Sequence, residues 1–245
     1  MNIGLFIPCY IDQLYPQVGI ATLELLEKQG LNVTYPANQT CCGQPMANSG
    51  FEHYTHTSNK NFIRTFADFD YIVCPSGSCT LHVKEHLYVA NRKAQATQIR
   101  NKIYELTEFL TDVINLKALN ASFPYKVGLH QSCHGLRGLH LAQMSELVAA
   151  PFSKPEHLLS MVKGIELISL DRHDECCGFG GTFSIFEEAV SVKMGQDRVA
   201  DHLNHQAEYI TGVDMSCLMH LQGILNRQKS PVKVIHIAEI LNADK

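Results

Sequence analysis

The tripeptide Cys41-Cys42-Gly43 occurs a second time as Cys176-Cys177-Gly178. Each copy has one cysteine upstream and one downstream, with spacings of C-x31-CC-x36-C in the first half and C-x42-CC-x39-C in the second. Each half therefore offers four thiols, the number that an iron–sulfur cluster requires. The eight predicted metal ligands are Cys9, Cys41, Cys42, Cys79, Cys133, Cys176, Cys177 and Cys217.

The sequence around these cysteines is also duplicated. The segment YIVCPSGSCTLH at residues 71–82 aligns without gaps with YITGVDMSCLMH at residues 209–220. This alignment places Cys79 on Cys217, and a histidine follows each cysteine at the same distance. Because an internal repeat indicates a repeated structural unit, we expect two cysteine-rich domains, residues 1–121 and 122–245.

Short apolar runs alternate with amphipathic segments in both halves, a pattern typical of α/β proteins. We therefore predict two tandem related halves, each a small, mostly parallel sheet flanked by helices. The expected strands are residues 3–7, 31–35, 70–74, 126–130, 165–170, 209–212 and 232–235. The expected helices are residues 17–29, 51–67, 104–116, 139–149 and 183–203, one that begins at Cys79, and a short one at the C-terminus.

The repeat cysteines follow predicted strands. Functional sites of parallel sheets form beyond the carboxyl ends of the strands, so distant loops can converge on one point there. Thiolates are soft ligands that favour iron–sulfur clusters, zinc or cuprous copper. We expect two [4Fe-4S] clusters, whose negative charge needs N–H donors and helix N-termini nearby. The predicted cofactor-binding residues besides the thiols are Gly43, Ser76, Gly77, Ser78, Gly178, His82 and His220.

Other interpretations of the cysteines and histidines stay open. A structural zinc site also takes four thiolates, although zinc ligands usually come in close CxxC pairs, and zinc could replace iron in purified protein. The ninth cysteine, Cys74, is predicted to be a buried strand thiol. The two CxxH histidines either ligate iron or donate a hydrogen bond to sulfur. The remaining histidines near the cysteines, His130, His134 and His173, are expected to be loop or packed residues.

Composition excludes several classes of partner. The net charge is −4 without a long charged run, which argues against nucleic acid and anionic membranes as partners.

The N-terminus lacks the features of a signal peptide, and no apolar window is long enough for a membrane span. Nine cysteines, an odd number that includes two adjacent pairs, favour metal binding over disulfides and suit a reducing compartment, so we expect a cytoplasmic protein.

The doubled CCG pattern resembles the cysteine-rich CCG-domain family, which includes iron–sulfur subunits of heterodisulfide reductases and of glycolate and glycerol-3-phosphate dehydrogenases. With SGSC at residues 76–79 and this length, the chain is most similar to the A subunits of bacterial L-lactate utilisation complexes. The resemblance implies a non-catalytic, electron-transferring subunit of a cytoplasmic L-lactate-oxidising complex. It also implies two partners, a ferredoxin-like iron–sulfur subunit and a third subunit.

One departure from the family concerns the last cysteine motif of each half. Heterodisulfide reductase-type domains end in CxxC, whereas Cys79 and Cys217 each lie in a CxxH sequence. We therefore expect one four-cysteine cluster per half and assign no catalytic residue. The alternatives are a heterodisulfide-reductase-like redox enzyme and a structural zinc-binding scaffold subunit.

Overall fold

The computed structural model describes residues 1–244 as two four-stranded parallel sheets, one in each half of the chain. The first sheet contains β1 (Asn2–Leu5), β2 (Asn32–Thr34), β3 (Tyr71–Cys74) and β4 (Ile103–Glu105). The second contains β5 (Lys126–His130), β6 (Glu166–Leu167), β7 (Tyr209–Gly212) and β8 (Lys233–His236). The strand orders, β2-β1-β3-β4 and β6-β5-β7-β8, are equivalent, which confirms the predicted fold class.

Helices connect the strands of each sheet. Those of the first half are α1 (Cys9–Leu14), α2 (Pro16–Lys28), α3 (Gln44–Asn48), α4 (His56–Phe66), α5 (Gly77–His86), α6 (Lys93–Lys102) and α7 (Leu106–Glu108), which continues as a π-helix at Phe109–Val113. Those of the second half are a π-helix at His134–Gly138, α8 (Lys154–Leu159), α9 (Phe183–Phe186), α10 (Glu188–Asn204), α11 (Met215–Arg227) and α12 (Ile237–Leu241). Short 3-10 turns lie at Glu52–Thr55 and Ala90–Arg92. Within residues 1–244, none of these helices has both the length and the apolar character to cross a bilayer.

The strand registers show which positions of the two sheets are equivalent. Ile3 pairs with Tyr71 in the first sheet, and Val127 pairs with Tyr209 in the second. Position 3 is therefore equivalent to 127, and position 6 to 130. The strands are short and apolar because both faces of a parallel sheet are covered by helices.

Two hydrophobic clusters support the sheets. One lies in the first half, where the ring of Phe6 packs edge-on against Phe62 with their centroids 4.8 Å apart. The other is continuous from the first half into the second and includes Leu26 of α2 and Leu241 of α12. The C-terminal helix thus packs on the first half, where Asn242 donates a hydrogen bond to Glu24 over 2.7 Å. This shared core joins the two sheets into one packed unit.

Several predicted elements have different limits. The helix expected at 104–116 is wrong at its start because Tyr104 and Glu105 belong to β4, and Glu105 caps the helix that follows. The predicted strand at 165–170 is reduced to Glu166–Leu167, and the predicted helix at 183–203 is interrupted at Glu187.

The helix predicted at 139–149 is absent. His140 has a positive φ of 52°, and the backbone of Gln143 pairs with that of Phe152 over 2.8 Å. Leu139 and Leu141 are both buried, a spacing of two residues that suits extended chain better than a helix. The apolar residues of this segment therefore predict burial correctly and secondary structure wrongly.

Candidate metal centre

The outer two cysteines of the first quartet are placed directly by neighbouring strands. Cys9 is the first residue of α1, just after β1, and Cys79 lies in the first turn of α5, just after β3. Because β1 and β3 are adjacent and parallel, both thiols lie at one edge of the sheet. In the second half, β5 and β7 place Cys133 and Cys217 in the same way.

The loop that carries Cys41 and Cys42 is fixed to the same edge by Gln39. The Gln39 side chain accepts a hydrogen bond from the backbone N–H of Ile7 over 2.8 Å and donates one to the carbonyl of Leu5 over 3.1 Å. These two bonds pair the carbonyl of Leu5, the last residue of β1, and the N–H of Ile7, two residues later. Gln39 was not predictable from the sequence, because a glutamine in a polar loop has no distinctive pattern.

A buried ion pair holds the corresponding loop of the second half. The Asp201 carboxylate accepts hydrogen bonds from the backbone N–H groups of Asp171 and Arg172, each over 3.1 Å. The same carboxylate accepts a 2.7 Å bond from the Arg198 guanidinium, and both side chains of this pair are buried. The loop before Cys176 is thereby tied to α10.

The four thiols of the first quartet interact in a chain. Cys41 is the main cause that raises the pKa of Cys9, and Cys41 and Cys79 both raise that of Cys42, so neighbouring thiols are close enough to affect each other's ionisation. Cys42 and Cys9 in turn lower the pKa of the Cys41 thiol far below its usual value. The neighbours of Cys41 therefore favour its thiolate form.

The second quartet has the same arrangement. Cys176 is the main cause that raises the pKa of Cys133, and Cys176 and Cys217 both raise that of Cys177. Cys133 and Cys177 in turn lower the pKa of Cys176 far below its usual value. In each quartet two thiols are buried and two are partly or fully exposed, so each group has one side that reaches the surface.

The glycine of each CCG has a conformation that other residues rarely adopt. Gly43 has φ of 94° and Gly178 has φ of 86°, both in the left-handed region. In this turn the backbone N–H of Gly43 points at Cys41 Sγ over 3.4 Å, and that of Gly178 points at Cys176 Sγ over 3.3 Å. The glycine thus supplies an N–H donor to the first cysteine of each CCG, which is the thiol whose pKa is lowered.

The two CxxH histidines adjoin the quartets. His82 lies beside Cys42, whose backbone favours the protonated imidazole, but burial lowers the His82 pKa to about 4. His220 Nε2 donates to the carbonyl of Ser191 over 3.3 Å, and burial likewise lowers its pKa. Both rings are therefore neutral near pH 7, with one N–H and one lone pair each.

The loop at Ser76–Ser78 faces the other half of the protein. Ser76 caps α5 by accepting the Cys79 backbone N–H over 3.3 Å. The N–H of Gly77 donates to Val213 O over 3.1 Å, and that of Ser78 donates to Asp214 over 2.7 Å. Gly77 and Ser78 therefore join the two sites to each other, and their backbone N–H groups are occupied in doing so.

The remaining residues named from the sequence lie nearby. Cys74 is fully buried at the end of β3. His134 Nδ1 is 3.7 Å from Cys133 Sγ, and His173 lines a cavity beside β5 and β6. His130, which was expected to be a loop or packed residue, has a ring nitrogen within 4.8 Å of two sulfurs of the second quartet.

The donor set is chemically suited to a metal centre. Each half gathers four soft sulfur donors at the end of a parallel sheet, and each buried downstream cysteine lies in the first turn of a helix. The positive end of a helix dipole favours the thiolate form that metals bind. Thiol groups, backbone N–H donors and helix termini therefore fit an anionic, thiolate-bound centre in each half.

A known protein family matches each half of the chain separately. The model of the cysteine-rich domain (CCG) family matches residues 3–84 and 127–222, which contain all eight repeat cysteines. A solved structure of a hypothetical protein from Helicobacter pylori aligns with 100% of this chain and 49% of its own, with a TM-score of 0.57. At 11% identity this likeness concerns the fold alone.

Curated relatives match over their full length. Lactate utilization protein A 1 of Bacillus mycoides (strain KBAB4) is 41% identical over 250 residues, covering 100% of this chain and 98% of the relative. Lactate utilization protein A of Geobacillus kaustophilus (strain HTA426) is 40% identical over 247 residues, covering 99% of each. That of Exiguobacterium sp. (strain ATCC BAA-1283 / AT1b) is 42% identical, covering 98% of this chain and 97% of its own. The chain therefore belongs to the cysteine-rich (CCG) domain family and, within it, to the lactate utilization A proteins.

Proposed function

We propose that this protein is an iron–sulfur electron-transfer subunit of a cytoplasmic L-lactate-oxidising complex. The observation that carries the proposal is the convergence of two thiol quartets at equivalent edges of two parallel sheets. We assign one [4Fe-4S] cluster to each domain, residues 1–121 and 122–245. The ligands would be the eight repeat cysteines Cys9, Cys41, Cys42, Cys79, Cys133, Cys176, Cys177 and Cys217.

A bound cluster supplies reversible one-electron storage, and the protein sets its environment. Gly43 and Gly178 offer backbone N–H groups to sulfur, and α5 and α11 direct their positive ends at the buried cysteines. These groups stabilise added negative charge, which favours the reduced state. His82 and His220 lie beside the quartets, where backbone groups of Cys42 and of Ser191 orient their rings.

The exposure of each quartet supports transfer between proteins. Cys9 is exposed and Cys133 is half-buried, while the downstream cysteines are buried. Each centre is therefore open to a partner on one side and shielded on the other. Ile185 and Phe186, which follow the second CCG, are 73% and 79% exposed, as is typical of surfaces that bind other proteins.

The names of the relatives support a role in lactate use, and their letter designation indicates a system of several proteins. We propose that the partners are a ferredoxin-like iron–sulfur subunit and a third subunit. No residue is assigned to catalysis in this chain. The CxxH motifs at Cys79 and Cys217 offer no further cysteine for disulfide reduction, which favours electron transfer over a heterodisulfide-reductase-like enzyme.

The experiment is lactate-dependent reduction followed by EPR. The protein is purified anaerobically and combined with its two partners, and L-lactate is then added. We expect a reduced [4Fe-4S] signal from this subunit, and the double variant Cys41→Ser with Cys176→Ser should remove it. Electron flow retained in that variant, or zinc in place of iron after anaerobic purification, would contradict the proposal.

A further inference from the structure

His130 is a buried histidine without a hydrogen-bond partner. It ends β5, three residues before Cys133, and is 1% exposed. Within residues 1–244, neither of its ring nitrogens has a hydrogen-bond partner. Buried polar atoms are nearly always paired, because an unpaired one gives up its bonds to water without replacement. We therefore expect the His130 imidazole to gain a hydrogen-bond acceptor or a ligand when the site is occupied.

Sulfur atoms of the second quartet lie beside the His130 ring. One ring nitrogen of His130, Cys177 Sγ and Cys217 Sγ all lie within 4.8 Å of one another. The nearby cation of Arg198 offers no acceptor atom, and the nearby Asp214 carboxylate accepts from other groups and not from His130. A neutral imidazole always carries one N–H, and a metal-bound thiolate is an anionic acceptor for it.

The first half shows that the fold itself does not need a nitrogen at this position. The strand registers make Phe6 the equivalent of His130, just as Cys9 is the equivalent of Cys133. Phe6 is fully buried among aromatic rings of the first half. An apolar ring therefore satisfies the packing there, whereas the second half places a polar ring against the sulfurs.

We infer that His130 donates a hydrogen bond to the cysteine sulfurs of the second metal centre, and that the first centre lacks this donor. This inference deepens the proposed function, on which it rests for the identity of the cluster. A hydrogen bond to cluster sulfur stabilises the added electron and raises the reduction potential. The reduction potential of the second centre is therefore higher than it would be with phenylalanine at this position.

The test exchanges the two equivalent residues. The variants are His130→Phe and Phe6→His, each with clusters reconstituted anaerobically and titrated redox-potentiometrically with EPR detection. We expect His130→Phe to lower the potential of one centre, and Phe6→His to raise that of the other. Pulsed EPR of wild-type protein should show a weak nitrogen coupling to one reduced cluster, which disappears in His130→Phe.

Equal potentials and unchanged nitrogen couplings in wild type and His130→Phe would overturn the inference while leaving the clusters themselves in place. If iron and sulfide do not assemble, the proposed function fails, and Co²⁺ becomes the probe. The sulfur-to-cobalt charge-transfer band should then shift in His130→Phe and stay in place in His173→Phe. An unshifted band, or no Co²⁺ uptake by the second quartet, would overturn the role of His130. His130→Ala, scored by the same potentials and bands, replaces His130→Phe if the larger ring prevents folding.

Discussion

Tyr10 donates a hydrogen bond to Asp214 over 3.1 Å across 204 residues of chain. Tyr10 directly follows Cys9, and Asp214 caps the helix that carries Cys217. The same carboxylate accepts the backbone N–H of Ser78, which directly precedes Cys79. One buried acidic residue therefore connects the loops of both thiol quartets, so the geometry of each site depends on the other half.

The first prediction concerns this connection. Asp214→Ala should reduce the free energy of unfolding by about 2–4 kcal/mol, because it leaves the buried Ser78 N–H unpaired and removes a helix cap. Tyr10→Phe should cost less, about 1–2 kcal/mol, because it removes the hydrogen bonds of one hydroxyl with Asp214 and Ser76 and leaves Asp214 with other donors. Urea unfolding of the two single variants and the double variant measures the coupling. Fully additive effects would show that the two side chains do not interact.

The second prediction concerns the glycine of the second CCG. A Cβ at Gly178 would lie 2.7 Å from Met194 Cβ and 2.8 Å from Ser191 O, in addition to the cost of its left-handed φ. Gly178→Ala should therefore destabilise the fold by about 3 kcal/mol or more. Gly30→Ala is the matched control, since Gly30 has φ of +74° with nothing within 4 Å and should cost about 1–2 kcal/mol. Equal losses in urea unfolding would show that the contacts around the CCG turn are not restrictive.

The third prediction concerns pH. Glu105 is fully buried, and burial raises the pKa of its carboxyl from the usual 4.5 to about 8. Between these two values the folded protein holds a proton that the unfolded chain releases. The free energy of unfolding should therefore fall as pH rises through this window, by at most about 1.4 kcal/mol per pH unit from this group.

The variant Glu105→Gln tests that assignment, because glutamine keeps an oxygen that can accept the capping N–H groups of Thr107 and Glu108. The difference in unfolding free energy between wild type and the variant should change between pH 6.5 and 8, a range above the usual pKa of histidine. Glu188→Gln, at an exposed position, serves as the control. A difference that stays constant across this range would show that Glu105 is ionised in the folded protein.

The repeat made much of the fold predictable. The match between Tyr71 and Tyr209 places equivalent strands in equivalent sheets, and the structure has that register. The segment at 139–149 was not predictable from its apolar residues, because their partners lie in other elements. The limits of α7 also depend on long-range pairing, since Glu105 belongs to the strand that pairs with β3.

The supporting residues of the site were less visible in the sequence than its cysteines. Gln39, Asp201 and Asp214 act through side-chain hydrogen bonds to backbone groups that are distant in sequence, and no local pattern marks them. His130 could have been noticed, because extending the repeat alignment upstream places it opposite Phe6. Its unpaired nitrogens, however, become apparent only when the surrounding atoms are known.

The most direct test of two separate iron–sulfur centres is an iron and sulfide count on anaerobically reconstituted variants. Wild-type protein should hold about eight irons and about eight sulfides, and Cys42→Ser and Cys177→Ser should each retain about half. The double variant should retain almost none, whereas Cys74→Ser, which alters the cysteine outside the repeat, should keep the full amount. Wild-type protein that binds zinc without sulfide, or single variants that lose all of their iron, would contradict two independent clusters.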